Sequence, residues 1–406
     1  MMAALYAARE GAQVTLLERN EKLGKKIYIT GKGRCNVTNR CDREAFLSQV
    51  PRNPRFLYSA LSLLPPESLM ALLKSAGCPL VTERGNRVFP QSNKASDVTR
   101  ALAGEILKAG VSVRYGARVQ RLIAADGRVS GLVLESGETV KADAVIIATG
   151  GESYPATGST GDGYRLAMEA GHTITPLMPS LVPLTCSELW PGLLTGLSLK
   201  NVRLTAKCRG KVVYSEQGEM LFTHFGISGP LVLEASSHMV DFPPDTWQIT
   251  LDLKPALTHE QLNARLLRDF EAMSRKRLSS VMPGLLPGKL AELFPELAGI
   301  PHDKPVNQIS RQERSRIGAM LKELPLPVSG VRPIEEAIVT RGGVTVTEVS
   351  PATMESKLVS GLYFAGEVLD VDAHTGGFNL HIAFSQGALA GRSAARNLME
   401  SEPRVL

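Results

Sequence analysis

Residues 1–18 read MMAALYAAREGAQVTLLE. The first ten form a helix pattern rich in small side chains (Ala3, Ala4, Ala7, Ala8), which lets a helix lie close against a sheet. Gly11 suits the left-handed residue that ends such a helix. Val14-Thr15-Leu16-Leu17-Glu18 is a short apolar run with a carboxylate at its end, the pattern of a buried parallel strand. Helix, glycine, strand and acid in that order are the second half of a Rossmann βαβ unit. In a whole unit, a strand and a G-x-G-x-x-G turn come first, and an acid about 20 positions on binds the ribose hydroxyls. Glu18 fits that acid, and counting back puts the glycines before Met1. The chain is therefore expected to begin inside the helix that follows its phosphate loop, and to retain a dinucleotide poorly as it stands.

Outward from this stretch, residues 24–36 (GKKIYITGKGRCN) are glycine-rich. Gly31 and Gly33 permit close backbone approach to a ligand, while Lys26 and Arg34 offer charge that neutralises phosphate. Residues 66–76 and 96–109 read as helices stopped by Gly77 and Gly110. Residues 111–148 alternate β-branched runs with turns at Asp126-Gly127 and Ser136-Gly137, and end in the buried strand 144–148. Amphipathic strands follow from 183 to 255, clearest at 202–207 and 211–214. From 258 to 324 the pattern turns helical, with capping boxes at Thr258/Gln261 and Ser310/Glu313. Leu262, Leu266, Leu267 and Phe270 form a core stripe there. Short strands and a final helix after Gly376 complete the chain.

This order reads as one α/β domain split by an insertion. The halves are 1–182 and 335–406; the insertion is a β-rich part at 183–256, a helical part at 257–324 and a return segment at 325–334. A length of 406 residues supports two or three domains at roughly 150 residues each. Hydrophobic residues make up 43% and charged residues 21%, with no apolar run of the roughly 18 residues that span a bilayer. The N-terminus lacks the basic and apolar regions of a signal peptide, so a cytoplasmic location is expected. Cysteines 35, 41, 78, 186 and 208 are odd in number and scattered, without a C-x-x-C pair. Reduced thiols and no metal site follow. The net charge is +6 and the pI near 9.0. The basic residues look spread along the chain, as solvated surface, so neither a nucleic acid nor a membrane is expected as partner. Oligomeric state is not set by the sequence.

Three segments together point to a flavin. Ala148-Thr149-Gly150-Gly151 ends a buried strand in glycines, and residues 157–164 (TGSTGDGY) lead into a helix. The third, residues 361–379, ends a strand in Gly366 and Glu367, continues to Asp370 and His374, and opens a helix at Gly376-Gly377-Phe378-Asn379. Glu367 or Asp370 can accept hydrogen bonds from ribityl hydroxyls. A helix beginning near Gly377 points free N–H groups at the flavin N1 and O2 edge, where negative charge collects on reduction.

With these residues in view, the blocks LGKKIYITGKGRCNVTN, RVFPQSNKASDV, GGESYPATGSTGDGY, FTHFGISGP, TRGGV, TMES and FAGEVLDVDAHTGGFNL resemble the BaiN-like family of flavoproteins, which includes bile-acid reductases and aminoacetone oxidases. The resemblance covers nearly the whole chain. It implies a split two-dinucleotide-binding, Rossmann-like FAD domain carrying an inserted β-barrel and a helical part. It also implies that Glu18 contacts the adenosine ribose and Val119 the adenine through its backbone. Residues 31–36 (Gly31, Gly33, Arg34, Cys35 and Asn36 among them) and 376–380, ending in Leu380, would hold the flavin. The chain departs from the family before Met1, and at His381, where glutamine is usual.

His224 and His374 are the candidate catalytic residues, since imidazole moves a proton near neutral pH while a flavin moves a hydride. The leading expectation is an FAD-dependent oxidoreductase acting on a small or steroid-like substrate, with NAD(P)H as electron donor. No second G-x-G-x-x-G appears, so NAD(P)H would bind transiently. The alternatives are an aminoacetone-type amine oxidase using oxygen, a flavin-dependent RNA-associated enzyme, and an inactive truncated fragment.

Overall fold

A computed structural model describes residues 1–401 and divides into two compact units, Met1–Pro179 with the chain from Ile334 onward, and Ser180–Pro333. In the first unit Thr15–Glu18 lies parallel to Ser112–Tyr115, with Glu18 opposite Tyr115. Val145–Ile147 lies parallel to Leu362–Phe364. Parallel neighbours need a crossover rather than a hairpin, and the helix Ala95–Lys108 belongs to the crossover of the first pair. Its Val98, Leu102 and Ile106 are buried with Leu5, Ile27 and Leu73.

The helix Met2–Arg9 packs along the C-terminal helix Phe378–Ser401. Gly387 and Gly391, four apart and so one above the other, make that approach possible. A Cβ at Gly391 would stand 2.0 Å from the Ala3 carbonyl oxygen, so only hydrogen fits. A three-stranded antiparallel meander follows, Val119–Ala125, Arg128–Leu134 and Thr139–Lys141. Ala125 pairs with Arg128, leaving Asp126-Gly127 as a two-residue loop. Both loop residues have positive φ, 52° and 72°, as a type I′ hairpin turn requires.

The second unit holds an antiparallel sheet of seven strands. Their order is Leu324–Leu326, Trp247–Asp252, Ser198–Cys208, Lys211–Thr223, Gly226–Ser228, Leu184–Cys186 and Val328–Val331. The two outermost strands are joined by Pro327 alone, so the sheet must curl until its edges approach. The expected β-barrel is corrected on this point: no ladder closes the two edges among the described residues. Pro325 and Pro327 lack the N–H groups such a ladder would use. Both predicted capping boxes form, Thr258 with Gln261 at helix His259–Ala272 and Ser310 with Glu313 at helix Arg311–Lys322. Leu262, Leu266 and Phe270 are buried, whereas Leu267 is 37% exposed. No single described helix is long and apolar enough to cross a membrane.

Candidate functional site

A cavity of about 1250 Å³ opens in the first unit. It touches every residue of 11–20 and of 140–150. Side chains of a strand alternate between its faces, so a cavity bordering each successive residue runs along strand edges. Of the residues expected to hold FAD, Glu18, Lys26, Val119, Thr149, Gly150 and Gly366 border it, and so do Glu367, Asn379 and Leu380.

Glu18 ends its strand at this cavity, and its Oε1 accepts bonds from the Asn20 backbone N–H (2.9 Å) and side-chain amide (2.8 Å). That amide also donates to the Thr157 carbonyl, tying the acid to the second glycine segment, 157–164. Asp162, first residue of the helix Asp162–Glu169, receives Arg118 and Arg19. Arg118 holds its carboxyl below the usual range.

Lys26 Nζ reaches Ser153 Oγ at 2.5 Å and Glu367 Oε2 at 2.8 Å. Glu367 Oε1 also accepts from Ser153 Oγ (2.9 Å) and the Thr340 backbone N–H (2.8 Å). Gly151 is obligatory beside them, because a Cβ there would lie 2.4 Å from Thr340 Oγ1 and 3.0 Å from Glu367 Oε1. Gly163 packs so closely that a Cβ would meet Thr149 Oγ1 at 2.1 Å. Ser153 and Thr340 escaped the sequence reading, though both sit inside quoted blocks, GGESYPATGSTGDGY and TRGGV.

Residues 31–36 lie outside the cavity border and form a strained loop. Gly31, Lys32, Gly33 and Cys35 all have φ between 58° and 84°, and for Lys32 and Cys35 that costs of order 1–3 kcal/mol each. Arg34 braces the loop: its guanidinium bonds Glu83 and Asn93 and stacks 4.2 Å from the Phe89 ring centroid. Cys35 is fully buried, and burial pushes its thiol up to about 12, so it is a core residue and no nucleophile at neutral pH. Asn36 Oδ1 is buried without a hydrogen-bond partner. It faces Gly377, where a Cβ would stand 2.5 Å from Thr38 O and 2.8 Å from Asn36 Oδ1.

The helix at Phe378 begins after Gly376 and Gly377, with φ of 126° and 98°. Phe378 is buried edge-on against Phe46, ring centroids 5.0 Å apart. The Asn379 side chain staples the preceding loop, accepting from the Ala373 N–H and donating to the Ala373 and His374 carbonyls. Asp370 is 3% exposed and pairs with Arg52 at 3.2 Å. The Val119 carbonyl accepts from Arg165. His381 is buried between Thr38 Oγ1 and the Leu64 carbonyl, both at 3.0 Å. Burial lowers it to about 4, so it stays neutral.

The two candidate catalytic histidines fall in different units. His374 is 8% exposed in the loop before Gly376, its backbone N–H bonded to the Gln49 carbonyl. His224 is exposed on the turn between Lys211–Thr223 and Gly226–Ser228, its ring against Phe225.

The sequence pattern of the HI0933-like protein Rossmann domain matches residues 1–393. The chain belongs to the HI0933-like Rossmann family. A 3-dehydro-bile acid delta(4,6)-reductase of Clostridium scindens is 31% identical over 97% of this chain and 96% of its own length. A ribosomal RNA dihydrouridine synthase of Haemophilus influenzae is 32% identical over 98% and 96%, and one of Escherichia coli 32% over 95% and 92%. Among solved structures, a 3-ketosteroid delta1-dehydrogenase of Sterolibacterium denitrificans superposes with a TM-score of 0.52 at 14% identity, covering 98% of this chain and 97% of the other. A variant of E. coli quinol fumarate reductase gives 0.51 at 16%, covering 98% and 69%. This HI0933-like chain therefore has the α/β Rossmann-type fold of FAD-dependent oxidoreductases and belongs to that enzyme class.

Proposed function

We propose that the protein is an FAD-dependent reductase of a carbon–carbon double bond conjugated to a carbonyl, with NAD(P)H as hydride source. The site fits FAD on its own terms. The cavity exceeds the roughly 300–1,000 Å³ of ordinary ligand pockets. An acid stands at a strand end on its border, and a buried Asn36 oxygen lacks a partner beside a glycine-opened helix start.

Bound FAD supplies the two-electron relay between the nicotinamide and the substrate. Glu18 would accept from the adenosine ribose, and Lys26 and Glu367 would fix the turn after Leu362–Phe364. The N–H groups opening the Phe378 helix would favour the reduced flavin edge. Saturating a conjugated bond adds a hydride to the carbon β to the carbonyl and a proton to the α carbon. His374, three residues before Gly377, is the proposed proton donor, with His224 the other candidate.

The observation that carries this reading is a shared chemistry. The named reaction of the bile-acid relative removes double bonds from a 3-oxo steroid, and dihydrouridine synthesis saturates a uracil double bond conjugated to a ring carbonyl. A steroid-like enone is the leading substrate class. A second reading, uracil in RNA, is favoured by the two relatives so named. Anaerobic stopped-flow tests the proposal. NADPH or NADH should bleach the flavin, and a conjugated enone should restore its absorbance. Restoration by oxygen and by no enone would replace it with the oxidase reading.

A further inference from the structure

Residues 264–278 and 302–316, 30 of the 406, carry nine Lys or Arg against four Asp or Glu. Their surplus of five positive charges compares with six for the entire chain. Along the sequence the two segments are separate, which is why the cations look dispersed. The fold joins them edge to edge. Val306 N–H donates to the Lys276 carbonyl, Asn307 N–H to Ser274, Leu278 N–H to Lys304 and Ser279 N–H to His302. Arg277 and Pro305 form an antiparallel bridge. The helices flanking this junction also touch, with Arg314 Nε 3.2 Å from Asn263 Oδ1.

Lys304 is paired with Glu313 at 2.7 Å and Arg265 with Asp269 at 3.5 Å. Arg268, Arg275, Lys276, Arg277 and Arg311 are exposed, and none makes an ion pair among the described residues. Glu271 and Asp303 are also exposed in these segments, but the five unpaired cations outnumber them, and cations held close together repel one another, a cost an anionic partner removes. Seven of the nine are arginine, whose planar fork binds phosphate oxygens two at a time. A membrane surface is a poorer match, since the apolar residues Leu262, Leu266 and Phe270 of helix His259–Ala272 are spent inside the unit.

We propose that this joined surface of the second unit, centred on Arg275-Lys276-Arg277 and extending to Arg268 and Arg311, binds the phosphate backbone of an RNA strand. Naming the polyanion as RNA rests on the second reading above; the surface itself rests on charge and geometry. It positions the nucleic acid and carries no sequence information, as phosphate contacts do.

Fluorescence anisotropy of the full-length protein with a labelled uridine-containing RNA oligonucleotide, titrated at several KCl concentrations, tests it. The wild type should bind with an affinity that falls steeply with salt. The variant Arg275→Gln/Lys276→Gln/Arg277→Gln should bind about tenfold or more weakly and lower the log–log salt slope by about 2, at roughly 0.7 per lost contact on a single strand. Lys200→Gln/Lys207→Gln/Lys211→Gln, which removes the same charge from exposed positions elsewhere in this unit, should bind as the wild type does. Equal losses in both triple variants, no salt-dependent binding by the wild type, or tighter binding to anionic vesicles than to RNA would overturn the proposal. Enone-driven reoxidation of the flavin in the first triple variant should stay at the wild-type rate. That rate reports on the reductase reading alone, so either idea can fail without the other.

Discussion

Lys26 Nζ lies 2.8 Å from Glu367 Oε2, across 341 positions of sequence. The pair ties the glycine-rich segment near the N-terminus to the turn after Leu362–Phe364, and Ser153 bonds both partners. Glu367 is only 17% exposed at its side chain, so removing the cation leaves a carboxylate short of compensation. Lys26→Met should cost about 1–3 kcal/mol. Lys26→Met/Glu367→Gln should cost less than the sum of the two single changes. Urea unfolding gives the cycle, and strict additivity would show the pair to be uncoupled.

Glu18 gives a ligand-side test. If its carboxylate accepts from the ribose, Glu18→Ala should weaken FAD binding by about tenfold or more, the equivalent of one charged hydrogen bond. Isothermal titration of the apoprotein reads this. An unchanged affinity would remove Glu18 from the dinucleotide site.

Acid should destabilise the protein through His381. Its folded pKa, about 4, lies below the ordinary 6.5, so between those values the unfolded state binds the proton and the folded state does not. Stability from this group is full above about 6.5 and declines as pH falls toward 4. His172 adds the same sign, lowered mainly by burial. Replacing the imidazole with an amide that does not titrate, His381→Gln, should flatten the slope of unfolding free energy over pH 4–6.5. A slope identical to the wild type would show that other groups govern acid sensitivity.

Two glycines should respond in opposite directions. Gly391→Ala drives a methyl into the Ala3 carbonyl and should lower the thermal midpoint by several degrees. Gly104 lies inside the helix Ala95–Lys108, and a methyl added there would meet nothing within 4 Å, so Gly104→Ala should stabilise by up to about 1 kcal/mol. Calorimetry on both variants decides, and a neutral Gly391→Ala would mean the helix pair can separate at no cost.

Much of this chain is local in its physics, and that part could be read from the sequence. Residues 1–18 carry their own helix, stop and strand. Thr258/Gln261 and Ser310/Glu313 satisfy their helix ends within four residues. Asp126-Gly127 sets its hairpin by backbone preference alone. The glycine blocks were legible as places of close approach, because only a residue without Cβ fits where Gly151, Gly163 and Gly377 stand. Contacts between distant positions could not be read this way. The Lys26–Ser153–Glu367 network, the bond from Asn20 to Thr157 and the partnerless Asn36 oxygen each depend on which side chains meet in space. So does the curling of the insert sheet, which Pro327 forces by joining its two edges. The net charge of +6 was fixed by composition. Only the pairing of 274–278 with 304–307 gathers most of it onto one surface, because Coulomb interactions act through distance in space and are blind to separation along the chain.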